Sequence, residues 1–153
     1  MYIKGVGMTK FGIESRHTNE MLHEAAMEAL DDADMTIEDI DSVVLASMDT
    51  LINGERQRHT ASSLSSLFKI SVPIVRVPAG CGSGGAALWT ALEFNYDNVL
   101  VLGAERLVAT TSENITDEIL TGGDRIYEQP EGLIFPAQNA CGAAAHDEIR
   151  HDY

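Results

Sequence analysis

Two short, uninterrupted apolar runs limit the folds open to this chain more than any other feature of its sequence. Residues 42–48 (SVVLASM) and 98–103 (NVLVLG) each have the length of a β-strand and contain no charged side chain. A strand that is apolar on both faces requires cover on both sides, which is typical of a parallel sheet between two layers of helices. The two runs therefore predict an α/β protein with a mainly parallel sheet.

Helices and further strands are predicted to alternate with these runs along the chain. Apolar side chains recur at helical spacing from Leu22 to Ala33, behind Thr18 as a helix N-cap. The other predicted elements, in chain order, are a strand over 2–7, a turn over 36–39, a helix over 57–69, a strand over 72–77 and a helix over 81–92. We therefore expect a layered sandwich in which about four or five strands are covered by helices on both faces.

The helix predicted over 81–92 contains no charged side chain. A helix without a polar face is typically a buried helix. We therefore expect Leu88 and Leu92 to lie in a middle layer of the fold, and Trp89 and Phe94 to belong to the core.

The alternation of strands and helices loosens after Gly103. Residues 110–131 are polar and contain a glycine pair and a proline, which predicts a long excursion, and a last helix is predicted over 135–150. The predicted organisation is an α/β unit over 1–109 followed by an excursion over 110–153 that ends without a closing strand.

The sequence is strongly acidic, with 24 Asp and Glu residues, 10 Lys and Arg residues and a formal net charge of -14. Such a surface repels the phosphate backbone, which argues against a nucleic-acid partner. No apolar run reaches the length of about 18 residues that a membrane span needs. The first residues lack the basic and then apolar layout of a signal peptide. We therefore expect a cytoplasmic protein that binds neither nucleic acid nor membrane.

Two cysteines are present, Cys81 and Cys141, and neither belongs to a CxxC pair. A disulfide framework in a small secreted domain would need more cysteines. No histidine or carboxylate spacing completes a metal-ligand set. We expect neither a disulfide nor a metal site.

Residues 80–85 (GCGSGG) follow a predicted strand and open a helix, which allows two interpretations. The first is a dinucleotide-binding turn, because the segment matches G-x-G-x-x-G and Glu105 lies about twenty residues further on, where a ribose ligand is expected. Three features count against it: Pro78 and Ala79 separate the strand from the first glycine, the strand is the third of its domain, and a cysteine faces the phosphate position.

The second interpretation is a nucleophile turn centred on Cys81. At a junction between a strand and a helix, the helix N-terminus favours a thiolate over a thiol. Gly80, Gly82 and Gly84 leave space for an acyl group to approach the sulfur, and the Cys81 N–H is a candidate oxyanion donor. A lone cysteine is more often only a small buried apolar residue, so the turn by itself does not decide the matter.

Residues 75–88 (VRVPAGCGSGGAAL) resemble the nucleophile segment of thiolases. Four further segments resemble thiolases of the archaeal and sterol-carrier type in the same order, namely residues 5–12 (GVGMTKFG), 36–41 (TIEDID), 99–107 (VLVLGAERL) and 133–137 (LIFPA). The collinear order of five segments is more specific than any one of them. The chain is therefore identified as resembling the N-terminal half of a thiolase-superfamily acetyl-CoA acetyltransferase.

This resemblance implies that Cys81 is the catalytic nucleophile of an acyltransferase that takes an acyl-CoA as substrate and needs no separate cofactor. It also implies a homo-oligomer that pairs through the strand over 72–77, or a complementing C-terminal half. An OB-fold acyl-CoA-binding protein, as in archaeal thiolase complexes, is a further implied partner. A complete thiolase has a second half that supplies a histidine motif and an acid/base cysteine, and neither motif is present in this sequence. The alternative is a non-catalytic scaffold subunit with the same fold.

Several other residues have weaker functional interpretations. Gly82 stands where many thiolases have Ala, which loosens the helix start. Cys141 is expected to be a structural thiol on a packed helix, and Glu105 a hydrogen-bonded turn residue. The cluster of Arg56, Arg58 and His59 is a candidate contact for a CoA phosphate, although a solvated or subunit-interface role is expected. The histidines are expected at the surface, namely His17, His23, His59, His146 and His151.

Overall fold

The computed structural model describes residues 2–48, 59–106 and 112–151. The chain divides into two compact units, Met1–Ala109 and Thr110–Tyr153, which are described separately. The first unit contains an α/β sheet structure, and the second contains two helices and a turn.

Three parallel strands form the sheet of the first unit: β1 (Ser42–Ala46), β2 (Ile74–Val77) and β3 (Val99–Gly103), in the order β2-β1-β3. All five residues of the central strand β1 are buried, as its uninterrupted apolar sequence predicted. The expected parallel sheet is confirmed, although it has three strands among the described residues where about four or five were expected.

Helices cover both faces of this sheet, as predicted. Helices α1 (Thr18–Asp32) and α2 (Thr60–Phe68) pack against one face, and α3 (Ser83–Glu93) packs against the other. Alternate residues of β1 point to the two faces: Val43 and Leu45 belong to the cluster with α1 and α2, whereas Val44 and Ala46 contact α3.

Two carboxylates fix the turns that lead into these elements. Thr18 is the first residue of α1 rather than its cap, because the N-cap is His17, whose N–H donates to Glu20 Oε2 at 2.9 Å. Before β1, Asp39 Oδ2 accepts the N–H of Thr36 at 2.8 Å and its hydroxyl at 2.9 Å. These two bonds lower the pKa of the Asp39 carboxyl from its ordinary value.

The strand predicted over 2–7 is wrong, since these residues are extended but belong to no sheet among the described residues. Their backbone hydrogen bonds go to helix α1 instead. The N–H of Val6 donates to Asp32 Oδ2 at 2.9 Å, and the N–H of Met8 donates to Glu28 Oε2 at 2.8 Å. The two acceptors lie one turn apart on α1, so the extended segment lies along the helix.

Glycine makes this close approach to α1 possible. A Cβ on Gly5 would lie 2.2 Å from the Ala29 carbonyl oxygen, and one on Gly7 would lie 2.1 Å from the Ala25 carbonyl oxygen. Both distances are far below van der Waals contact, and both obstacles are backbone atoms that cannot change rotamer. Any other residue at these positions would force the segment away from the helix.

The second unit contains α4 (Ser112–Leu120) and α5 (Phe135–His151). The last predicted helix, 135–150, is confirmed, while α4 lies within the polar stretch predicted as an irregular excursion. Between the two helices, Asp124 Oδ1 accepts the N–H groups of Ile126 and Tyr127, each at 2.8 Å. Within the described ranges, none of the helices combines the length and the apolar character that crossing a membrane requires.

Candidate active site

The glycine-rich turn lies at the carboxyl edge of the sheet. Strand β2 ends at Val77, which pairs with Ala46 at the end of β1, and Gly103 ends β3 beside Ala46. A single 3₁₀ turn, Gly80–Gly82, then carries Cys81, and α3 begins immediately afterwards. Cys81 was expected to be the first residue of the helix, but it lies in the turn that precedes the helix. The residue is exposed.

The glycines next to Cys81 have open space at their Cβ positions among the described residues. A Cβ built on Gly80, Gly82, Gly84 or Gly85 would find no heavy atom of the described residues within 4 Å apart from its chain neighbours and the backbone of its own helix. Packing within the described residues therefore does not require these glycines. Gly80 has φ +55, a left-handed conformation that glycine adopts without strain. The glycines therefore leave open space at their own positions on either side of Cys81 among the described residues, while the approach of an acyl group to the sulfur stays a prediction.

A buried serine holds the turn together from below. Ser83 is 6% exposed, and its hydroxyl oxygen accepts the Ala79 N–H at 2.9 Å while its hydroxyl proton is donated to the Gly80 carbonyl at 2.7 Å. The Ser83 backbone N–H also donates to the Gly80 carbonyl, and the Gly82 N–H donates to the Ala79 carbonyl at 3.0 Å. Sequence reasoning missed this residue, although a serine whose side chain can bond the carbonyl three residues earlier is a known local pattern.

Helix α3 is buried on one side only. Ser83, Ala87 and Ala91 are its buried residues and face the sheet. The prediction that the charge-free helix is buried all round is wrong for its other side, where the exposed fractions are 46% for Leu88, 64% for Trp89 and 54% for Leu92. Phe94, at the end of the helix, is half-buried and packs against the cluster around Val44. The helix thus presents an apolar outer face, defined by Leu88, Trp89 and Leu92.

Glu105 bridges the ends of two strands. Its carboxylate accepts the N–H of Met48, which follows β1, while Glu105 itself follows β3. The interpretation as a hydrogen-bonded turn residue is therefore confirmed. A carboxylate occupied in this way at the sheet edge does not support the dinucleotide interpretation.

The other sequence candidates lie apart from the turn or outside the described residues. Cys141 lies within α5, as expected, but it is exposed, so the expectation that it is packed against other residues is wrong. Arg56 and Arg58 lie outside the described residues. The expected surface position is confirmed for His17, His23, His59 and His146, whereas the side chain of His151 is not described. Within 2–48, 59–106 and 112–151, no three His, Cys, Asp or Glu side chains are placed to hold a metal ion.

The fold is similar to that of thiolase-like condensing enzymes. The structure is similar to the crystal structure of 3-oxoacyl-[acyl-carrier-protein] synthase III from Aquifex aeolicus VF5, with a TM-score of 0.54 and 30% sequence identity. The similarity covers 61% of this chain and 31% of that enzyme.

The chain belongs to the thiolase family, because residues 1–145 match the family model described as "Thiolase, N-terminal domain". It is 30% identical over 148 residues to the acetyl-CoA acetyltransferase of Methanothermobacter thermautotrophicus, which covers 93% of this chain and 38% of the relative. The acetyl-CoA acetyltransferase of Methanocaldococcus jannaschii is 32% identical over 148 residues, covering 92% of this chain and 37% of the relative. Sterol carrier protein 2 of Bos taurus is 29% identical over 126 residues. The predicted resemblance to an N-terminal thiolase half is confirmed, and the chain spans less than two fifths of the two archaeal relatives.

Proposed function

We propose that this chain is the N-terminal part of a thiolase-type acyltransferase in which Cys81 accepts an acyl group from an acyl-CoA. The observation that carries the proposal is the position of Cys81: an exposed thiol at the carboxyl edge of a parallel sheet, surrounded by glycines whose Cβ positions are empty. Such a surface lets a bulky thioester reach the sulfur. Helix α3 begins just after the turn, at Ser83.

The proposed reaction is an exchange of one thioester for another. The Cys81 thiolate attacks the carbonyl carbon of the acyl-CoA, and the carbonyl oxygen becomes an oxyanion. As the oxyanion collapses, the bond from carbon to the coenzyme A sulfur breaks, and that sulfur leaves with the proton that the Cys81 thiol released. In the condensation direction, a base removes a proton from Cα of a second acyl-CoA, and that carbon forms a bond to the acyl carbon. The bond from the acyl carbon to the Cys81 sulfur then breaks, the thiolate regains a proton and a 3-oxoacyl-CoA leaves; thiolysis is the reverse of these steps. Because the coenzyme A thioester is itself the substrate, no separate cofactor is proposed.

We further propose that the acid/base group and the second oxyanion site come from a C-terminal thiolase half. The apolar outer face of α3 supports this, since a cluster of Leu88, Trp89 and Leu92 on a small protein is typical of a surface that another protein segment covers. On the opposite side of the sheet, the extended segment along α1 also exposes apolar side chains, since Val6 and Met8 are 66% and 65% exposed. The archaeal relatives contain the additional length that such a half requires.

The family resemblance also supports two assembly proposals. Strand β2 lies at the edge of the sheet among the described residues, and Val75 on it is 38% exposed, so its free edge is proposed as a homo-oligomer contact. An OB-fold acyl-CoA-binding protein is proposed as a partner on the resemblance alone.

Co-expression tests the proposed function. The chain is expressed alone, and also together with the part of the Methanothermobacter acetyl-CoA acetyltransferase that lies beyond the region of similarity. Thiolysis of a 3-oxoacyl-CoA is then measured. We expect no steady-state turnover from the chain alone, since each missing proton shuttle or oxyanion donor typically costs about 10² to 10⁴ in rate. Turnover is expected from the complex and is expected to disappear with Cys81→Ser.

Two results would contradict the proposal. Turnover by the isolated chain at ordinary enzyme rates would mean that the missing catalytic groups are in fact present. A stable complex whose activity does not depend on Cys81 would favour the alternative of a non-catalytic scaffold subunit.

A further inference from the structure

Ser83 is a buried polar residue in direct contact with the turn that carries Cys81. Its hydroxyl has two partners, the Ala79 N–H and the Gly80 carbonyl, at 2.9 and 2.7 Å. Both partners belong to the two residues that immediately precede the cysteine. The hydroxyl therefore acts on the backbone of the turn and does not touch the sulfur itself.

These bonds determine where the Cys81 N–H points. The peptide bond between Gly80 and Cys81 is planar and trans, so its C=O and N–H groups point in opposite directions. The Ser83 hydroxyl and the Ser83 N–H both hold the Gly80 carbonyl on the side of α3. The Cys81 N–H must then point away from the helix start, and it has no acceptor among the described residues.

Glycine makes this peptide easy to turn over. Turning this peptide over rotates ψ of Gly80 and φ of Cys81, and Gly80, which has φ +55 and no Cβ, can adopt the range of ψ that this rotation needs. Rotation of the peptide plane would direct the Gly80 carbonyl outward and the Cys81 N–H inward, placing an acceptor where an oxyanion would form. Without the Ser83 hydroxyl, only the Ser83 N–H would remain to hold the Gly80 carbonyl in place.

We propose that Ser83 is a positioning residue whose hydroxyl locks the Gly80–Cys81 peptide in the orientation that presents the Cys81 N–H to the acyl oxygen. This inference rests on the proposed role of Cys81 as the nucleophile. A hydrogen bond of this kind shifts an equilibrium by about tenfold, and loss of an oxyanion donor costs about 10² to 10³ in rate. We therefore expect Ser83→Ala to slow acylation of Cys81 measurably, by up to about tenfold.

Two reagents separate this role from a merely structural one. Transfer from acetyl-CoA builds an oxyanion and needs the N–H donor, whereas alkylation by iodoacetamide displaces iodide at a saturated carbon and does not. In the full chain, Ser83→Ala is expected to slow acetylation of Cys81, followed by mass spectrometry, while the rate of alkylation stays within about twofold of wild type. Gly80→Ala, which strains the backbone immediately before this peptide because residue 80 has a positive φ, is expected to give the same selective loss.

Thr90→Ala is the matched control. The Thr90 hydroxyl donates to the Ala86 carbonyl at 2.8 Å on the same helix, away from the turn, so both rates should be unchanged. Thermal unfolding verifies that each variant is folded; if Ser83→Ala does not fold, Gly80→Ala decides the question. Equal loss of both reactions, or no loss of acetylation, would overturn the role of Ser83 alone. Failure of the wild-type chain to be acetylated would overturn the proposed function and this inference with it.

Discussion

Gly7→Ala should destabilise the first unit by detaching the extended segment from α1. A Cβ at this position would lie 2.1 Å from the Ala25 carbonyl oxygen and 2.6 Å from the Ala29 nitrogen. Both are backbone atoms of a helix that is itself packed on the sheet. The clash can be relieved only if the segment moves outward, and that movement breaks the bonds from the Val6 and Met8 N–H groups.

The expected loss follows from those two bonds. Hydrogen bonds to charged acceptors contribute about 1.5 to 3 kcal/mol each, and the lower figure applies because Asp32 and Glu28 are exposed. Loss of both costs about 3 kcal/mol, and alanine recovers about 0.4 to 1 kcal/mol by restricting the unfolded chain. The net destabilisation of Gly7→Ala should therefore be about 2 kcal/mol.

Urea unfolding followed by far-UV circular dichroism measures this difference. Gly85→Ala is the control, because the residue lies within helix α3 and a Cβ there meets no other part of the described structure within 4 Å. That variant should be more stable than wild type by up to about 1 kcal/mol. A Gly7→Ala protein within about 0.5 kcal/mol of wild type would refute the close packing of the segment on α1.

Three further predictions concern the thiols, the core and the acid range. Iodoacetamide should alkylate Cys81 several-fold faster than Cys141 near neutral pH, although both are exposed, because only Cys81 lies at a helix start; equal rates would contradict this. Leu64→Ala should lower the free energy of unfolding by about 2 to 5 kcal/mol, since that side chain is fully buried; a loss below about 1 kcal/mol in urea unfolding would contradict it. The hydrogen bond from Arg16 lowers the pKa of Glu14 from 4.5 to about 2. The contribution of this pair to the free energy of unfolding is therefore present above pH 4.5 and is lost as the pH falls towards 2. Glu14→Gln should therefore be slightly less stable than wild type at neutral pH and equally stable near pH 2. A difference in stability that is the same at both pH values would contradict the ion pair between Glu14 and Arg16.

Sequence patterns predicted the fold well where the residues that satisfy them lie within this chain. The apolar run over 42–48 required cover on both faces, and β1 is the central strand with helices on each side. The glycines of the turn predicted open space beside Cys81, and among the described residues their Cβ positions are open.

Two predictions failed because they depended on what lies next to an element. Residues 2–7 have a strand-like sequence, but their N–H groups bond to carboxylates of α1, an alternative that apolar alternation cannot reveal. The absence of charge on α3 predicted an apolar environment on every side of the helix, but it could not show which residues would provide that environment. Among the described residues none covers the outer face, where Trp89 is 64% exposed. The bonds of Ser83 were equally hidden, because the direction of a peptide plane is set by three-dimensional contacts.

Acetylation of Cys81 by acetyl-CoA tests the central claim most directly. The full chain is incubated with acetyl-CoA and digested, and the peptides that contain Cys81 and Cys141 are compared by mass spectrometry. Slow acetylation confined to Cys81 is predicted, since this chain provides the nucleophile and one N–H donor. Cys81→Ser should abolish it while leaving the fold intact, and Cys141→Ser should not change it. Acetylation found only on Cys141, or unaffected by Cys81→Ser, would falsify the assignment of Cys81 as the nucleophile.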